Sequence, residues 1–128
     1  QTGQALSVAA DQHMGHGYMV LSKQGPNVEK HVPFRGPPLV TRFAQEELGL
    51  RVKCCVHGWM QARGAVFAHP FHAVTDDRGE AFLRLPPGAY EVSVWHEYDG
   101  FTKPAPKTVK VAENGTATIE FEFVSPPR

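Results

Sequence analysis

The chain predicts an all-β fold, an antiparallel β-sandwich, and three observations carry that expectation. Short segments of alternating apolar and polar residues recur along it, most regularly in its second half. Turn signals separate them: "DDRG" at 76–79, "PPG" at 86–88, "YDG" at 98–100 and "ENG" at 113–115. No long segment keeps a helical period, and glycine and proline together supply 23 of the 128 residues.

Taken in order, "GYMVL" (17–21), "LRVKCCVH" (50–57) and "ARGAVFA" (62–68) read as strands of the first half. The Gly- and Pro-rich connection from Ser22 to Leu39 reads as irregular. "TRFAQEELGL" (41–50) is the one helix-like stretch, ended by Gly49. In the second half "EAFLRL" (80–85) sets Ala81, Leu83 and Leu85 opposite Phe82 and Arg84. "AYEVSVWHE" (89–97) alternates Tyr90, Val92, Val94 and His96 against Glu91, Ser93, Trp95 and Glu97. "KTVKVA" (107–112) and "TATIEFEFV" (116–124) follow, the latter with Ala117, Ile119, Phe121 and Phe123 on one face. Strands at this spacing suit a sandwich. A boundary, if the chain has one, falls near "FAHPFHAV" (67–74).

Composition removes several functions. A hydrophobic fraction of 41% supports a packed core. Thirteen basic residues balance thirteen acidic ones, which offers no electrostatic case for nucleic acid or an anionic membrane. No apolar run reaches the roughly 20 residues of a transmembrane span, and "QTGQALSVAADQH" lacks the regions of a signal peptide, so an exported protein would be a mature chain here. Phosphate loops, the "GxSxG" elbow and suggestive carboxylate pairs are missing, so the chain reads as nonenzymatic.

The stretch "CCVHGWM" (54–60) carries the chemistry. Cys54, His57 and Met60 are spaced Cys-x2-His-x2-Met, and a strand end with a tight loop can aim all three at one ion. Thiolate, imidazole and thioether together favour copper, and a second imidazole is on offer upstream in His13 and His16 of "DQHMGHGYM". The alternative is plain packing: Val52, Cys54 and Val56 share a strand face, and Met60 can fill a core gap. Cys55 reads as an exposed neighbour, since a disulfide between adjacent cysteines is strained.

This loop resembles the copper loop of amicyanin and related cupredoxins, in which the same three residues and an upstream His of an "HNVH"-like segment bind type 1 copper. More specifically, the chain resembles bacterial exported proteins that join a cupredoxin-like half to a carboxypeptidase-regulatory, transthyretin-like half. Their "KCDVHPWM", "HPYFAVTDxDGxF", "PPGxY" and "VWHE" correspond to "KCCVHGWM" (53–60), "HPFHAVTDDRGEAF" (69–82), "PPGAY" (86–90) and "VWHE" (94–97). Cys55 stands where that pattern has Asp, and Gly58 where it has Pro. The resemblance implies a partial cupredoxin-like segment over 1–66 and a transthyretin-like sandwich over 67–128. It further implies one copper ion on His13, Cys54, His57 and Met60, with His16 in place of His13 as the alternative, and a periplasmic location. The twelve residues before His13 are too few for the strands that precede the first ligand in cupredoxins, which points to completion of the sheet by another chain or an oligomer.

His69, His72 and His96 form a possible second metal set, of zinc or copper, against the commoner role of hydrogen-bonded packing residues. Two functions follow from different classes. One is an extracytoplasmic copper protein passing electrons to a redox partner or within a larger complex. The other is a metal-free β-sandwich subunit that docks in such an assembly.

Overall fold

The structure is a computed structural model that describes residues 1–10, 15–25, 28–32 and 35–126. Its strands are β1 (Ala5–Val8), β2 (His16–Leu21), β3 (Val28–Val32), β4 (Leu39–Arg42), β5 (Glu47–Cys54), β6 (Gln61–Val66), β7 (Gly88–Val92) and β8 (Lys107–Val111). All pairings are antiparallel, and the described residues include no helix, so the all-β expectation holds. None of them forms a helix long and apolar enough to cross a membrane. The chain divides into two compact units, Gln1–Pro70 and Phe71–Arg128.

In the first unit a four-stranded sheet runs in the order β3-β2-β5-β6, and β1 pairs with β4 in a separate ribbon. Tyr18, Val20, Val32, Leu50 and Val66 form the buried cluster, against which Val8, Leu39, Phe43 and Val52 pack. Ribbon residues thus cover one face of the larger sheet. The phase of β5 depends on a bulge. Leu48 pairs with Ala65 and Leu50 with Gly64, which leaves Gly49 as the extra residue, at φ 78°. Glycine takes that left-handed conformation without steric cost. The inserted residue lets Glu47 and Leu50, three apart, both turn inward, with Cys54 buried at the strand's far end.

Buried Glu47 is held by the residues after β2. Its carboxylate accepts from Ser22 Oγ at 2.6 Å, Lys23 N–H at 2.7 Å and Gln24 N–H at 3.1 Å. Desolvation pushes its pKa up, but these donors and the Lys23 charge outweigh it and leave the pKa below the ordinary value.

Three expectations for this unit need correction. The helix-like 41–50 segment is the end of β4, a short loop and the start of β5. Its long-range partners, Leu6 for Thr41 and Val66 for Glu47, override local propensity. The connection from Ser22 to Leu39 contains β3, paired along β2. The 50–57 strand ends at Cys54, and residues 55–57 belong to the loop.

In the second unit the turns form as expected. Asp76 accepts from the N–H groups of Arg78 (3.0 Å) and Glu80 (2.9 Å), and Gly79 closes the turn at φ 78°. Tyr90 donates its hydroxyl to the Pro86 carbonyl at 2.7 Å across "PPG". Asn114 takes φ 55° in "ENG".

The strands are fewer than the alternation implies. Only β7 and β8 pair, the 89–97 segment leaves its strand after Val92, and 80–85 and 116–124 are not strands. The 116–124 segment meets its neighbours through one bridge, Thr102 to Val124, through the Phe123 ring against His96 and Phe101, and through Lys107, which donates to the Glu120 carbonyl at 2.6 Å and lies over the Phe121 ring. Alternation still sets orientation from Ile119 onward: Ile119, Phe121 and Phe123 are half-buried while their neighbours are exposed, whereas Ala117, expected on the same face, is exposed.

Candidate metal centre

The "CCVHGWM" stretch is the loop of the β5–β6 hairpin. Lys53 pairs with Gln61, and the ladder extends one step further as Cys54 N–H donates to the Met60 carbonyl at 2.9 Å. Within the loop Met60 N–H donates to the His57 carbonyl at 3.0 Å, which closes a turn at "HGWM". A third hydrogen bond runs from His57 N–H to Cys54 Sγ at 3.3 Å. The loop therefore folds back over its own first cysteine.

Strand register supplies the second imidazole. Tyr18 of β2 lies opposite Cys54 of β5, so His16, two residues before Tyr18, is on the same face and level with the loop. Three donor atoms converge there. Cys54 Sγ is 3.5 Å from His57 Nδ1 and 3.9 Å from His16 Nδ1, and the two Nδ1 atoms are 3.3 Å apart.

One ion fits two of those distances closely, and the Cys54–His16 separation of 3.9 Å is slightly wider than ideal. A metal about 2.3 Å from sulfur and about 2.0 Å from each nitrogen, at tetrahedral or trigonal angles, separates S from N by roughly 3.5–3.7 Å and N from N by roughly 3.3–3.5 Å. Cys54 is buried, and both histidines are half-buried. The donors lie on two hydrogen-bonded strands and a closed hairpin loop, which hold them in place.

The thiol is already disposed to ionise. Burial acts to raise the Cys54 pKa. Backbone hydrogen bonds from His57, Val56 and Gly17, with the His16 ring, overcome that and hold it down to about 6. A lowered pKa favours the thiolate, the form that ligates metals.

Among the described residues, His16, Cys54 and His57 are the group of three metal-type side chains brought together. His13 lies outside the described residues, and the imidazole that meets Cys54 is that of His16. Met60 sits at the base of the hairpin, 39% exposed. Trp59 is 79% exposed and lies against His57, with ring centroids 5.3 Å apart. Cys55 is a free, exposed cysteine outside the group.

The other proposed set is divided between the units, His69 in the first and His72 and His96 in the second. His69 lies against Phe67. His96 is part of an aromatic cluster, 4.8 Å from Phe101 and 5.4 Å from Phe123 between centroids, and its Nδ1 accepts from Tyr98 N–H at 2.9 Å. That is the packing role for His96.

No family model matches the chain, and neither a curated protein nor a solved structure matches it.

Proposed function

We propose that the chain is a mononuclear copper protein that transfers electrons, with Cys54, His16 and His57 as the strong ligands and Met60 as a weak axial one. The observation that supports it is the convergence of one thiol and two imidazole Nδ1 atoms at distances one ion spans. Two histidines and one cysteine around a trigonal site, with a methionine close in sequence, is the donor set of blue-copper electron-transfer centres. Copper bound there would supply one-electron chemistry.

The protein's own part is to hold the donors. The β2–β5 ladder fixes His16 against Cys54, and the closed hairpin fixes His57. Exposed Trp59, against the His57 ring, offers an apolar edge to a partner protein. A periplasmic location and a nonenzymatic role within a redox complex follow from the sequence resemblance and belong to the same proposal.

The test is one equivalent of Cu(II) added to reduced, metal-free protein, with visible and paramagnetic-resonance spectra. An intense thiolate-to-copper band with narrow copper hyperfine splitting is expected. Cys54→Ser should abolish the band, His16→Ala should abolish or strongly shift it, and His13→Ala should leave it intact. A colourless protein that takes up Zn(II) instead would reject electron transfer and keep the metal group.

A second reading, a metal-free accessory subunit, is favoured by one observation. Every described residue from Phe71 onward is at least partly exposed, with Phe82 84% and Val74 92% accessible, which suits a module that docks in an assembly.

A further inference from the structure

Cys55 stands outside the three converging donors, yet its side chain is closely fitted. Continued by one step, the Tyr18–Cys54 pairing sets Gly17 opposite Cys55, and Cys55 N–H donates to the Gly17 carbonyl at 3.2 Å. With no side chain at 17, the Cys55 side chain lies across the glycine. A Cβ on Gly17 would stand 1.8 Å from Cys55 Sγ, and 3.3 Å from both the Cβ and the backbone nitrogen of Cys55. Turning the Cys55 χ1 angle relieves the first contact. It does not relieve the other two, because those atoms are fixed to the loop backbone. Gly17 is not among the glycines with positive φ, so close approach, and not backbone conformation, is what favours a glycine here.

The neighbours of this contact give it a consequence. His16 directly precedes Gly17, and Cys54 directly precedes Cys55. A displacement that parts residues 17 and 55 also parts the imidazole and the thiol beside them. Cys55 is outside the group of converging donors, so the seat at Gly17 holds the second thiol away from it.

We propose that Gly17 is a positioning residue of the metal group that acts through Cys55: the bare glycine seats the Cys55 side chain and so sets the separation of His16 from Cys54. This inference rests on the metal reading above and adds a determinant to it. It also accounts for the second cysteine, which serves as a spacer against β2 and not as a ligand.

The test is a double-mutant cycle of Gly17→Ala and Cys55→Gly, read by Cu(II) and Co(II) titration against a competing chelator and by the charge-transfer spectrum. In the wild-type background Gly17→Ala should weaken binding by about tenfold, as loss of outer-sphere support does, and shift the band. In the Cys55→Gly background, where the sulfur and Cβ contacts are gone and only the 3.3 Å approach to the backbone nitrogen remains, the effect of Gly17→Ala on both should be much smaller. Equal effects in both backgrounds, or no effect in the first, overturn the proposal. If Gly17→Ala alone fails to fold, the double variant decides: recovery of fold and band supports the seat, and failure to recover rejects it.

The imidazole proton resonances of His16 and His57 in metal-free protein give a second readout of the same cycle. A wild-type protein that binds neither metal would sink the copper reading. The seat would still be judged by whether those resonances move with Gly17→Ala and return with Cys55→Gly.

Discussion

The two units carry similar alternating sequences and use them differently. In the first, alternation is joined to long-range pairing: β2 sits between β3 and β5, and Val20, Val32, Leu50 and Val66 close over one another. In the second, turns at 76–79, 86–88 and 113–115 form, but only β7 and β8 pair and no described residue is buried. Turn chemistry is local and forms wherever its residues stand. Burial requires segments distant in sequence to meet, and that is where hydrophobic stabilisation arises. The metal group belongs to the first unit for the same reason, since a centre that joins residue 16 to residues 54 and 57 needs a fixed register between β2 and β5.

The sharpest way to break this comparison is to truncate one apolar side chain in each unit. Leu50 is 3% exposed and Phe82 is 84% exposed. Leu50→Ala should cost about 2–5 kcal/mol through lost burial and the cavity left behind. Phe82→Ala should stay within about 0.5 kcal/mol, as surface substitutions do. Denaturant unfolding followed by fluorescence separates the units, because Trp59 lies in the first and Trp95 in the second. Similar losses from the two substitutions would mean that the second unit has a core of its own.

Glu47 gives a smaller, pH-dependent contrast with Asp76. Removing Glu47 as alanine leaves Ser22 Oγ and two N–H groups without their acceptor, and should cost about 1–3 kcal/mol at neutral pH. Because its folded pKa lies below the ordinary 4.5, its contribution is complete above that value and is lost as pH falls through the lower folded value. Acid titration should therefore destabilise the wild type more steeply than Glu47→Ala below about pH 4.5. Asp76 also has a lowered pKa, first through the Glu80 N–H, but it caps an exposed turn. Asp76→Asn should leave the acid response of the Trp59 signal unchanged. Parallel acid curves for wild type and Glu47→Ala would show that the buried carboxylate contributes no net stability.

What could be read in the sequence follows the same division. Cys54 and His57 were legible because their spacing is local, and a hairpin loop needs no distant partner to bring them together. His16 was visible only as one of two upstream histidines, since choosing it requires the Tyr18–Cys54 register, which no single segment encodes. The alternation of 116–124 correctly gave the inward face of Ile119, Phe121 and Phe123, but whether that face finds a ladder is a nonlocal matter. The segment 41–50 misled because glutamine, glutamate and leucine favour helix locally, whereas β6 and β1 claim its two ends as strand. Gly17 gave no signal at all, because a glycine required by a close approach looks like any other glycine until the approaching atom is known.

Two glycines with the same backbone angle test the comparison at its finest. Gly49 and Gly79 both sit at φ 78°. Alanine at either position pays the same local conformational cost, about 1–2 kcal/mol for a left-handed residue. Nothing lies within 4 Å of a Cβ placed on Gly79, so strain there is relieved within the Asp76 turn. Gly49 is the bulge that keeps Glu47 and Leu50 on the inward face while Cys54 stays opposite Tyr18. Gly49→Ala should therefore lower the stability read by Trp59 by its full local cost. A shift in the amide resonances of Cys54 and His57 should accompany it, because relief of the bulge moves the whole of β5. Gly79→Ala should leave both readouts unchanged. If Gly49→Ala disturbs only its nearest neighbours, the register of β5 is set from the hairpin end, and the metal loop would be the element that positions the strand.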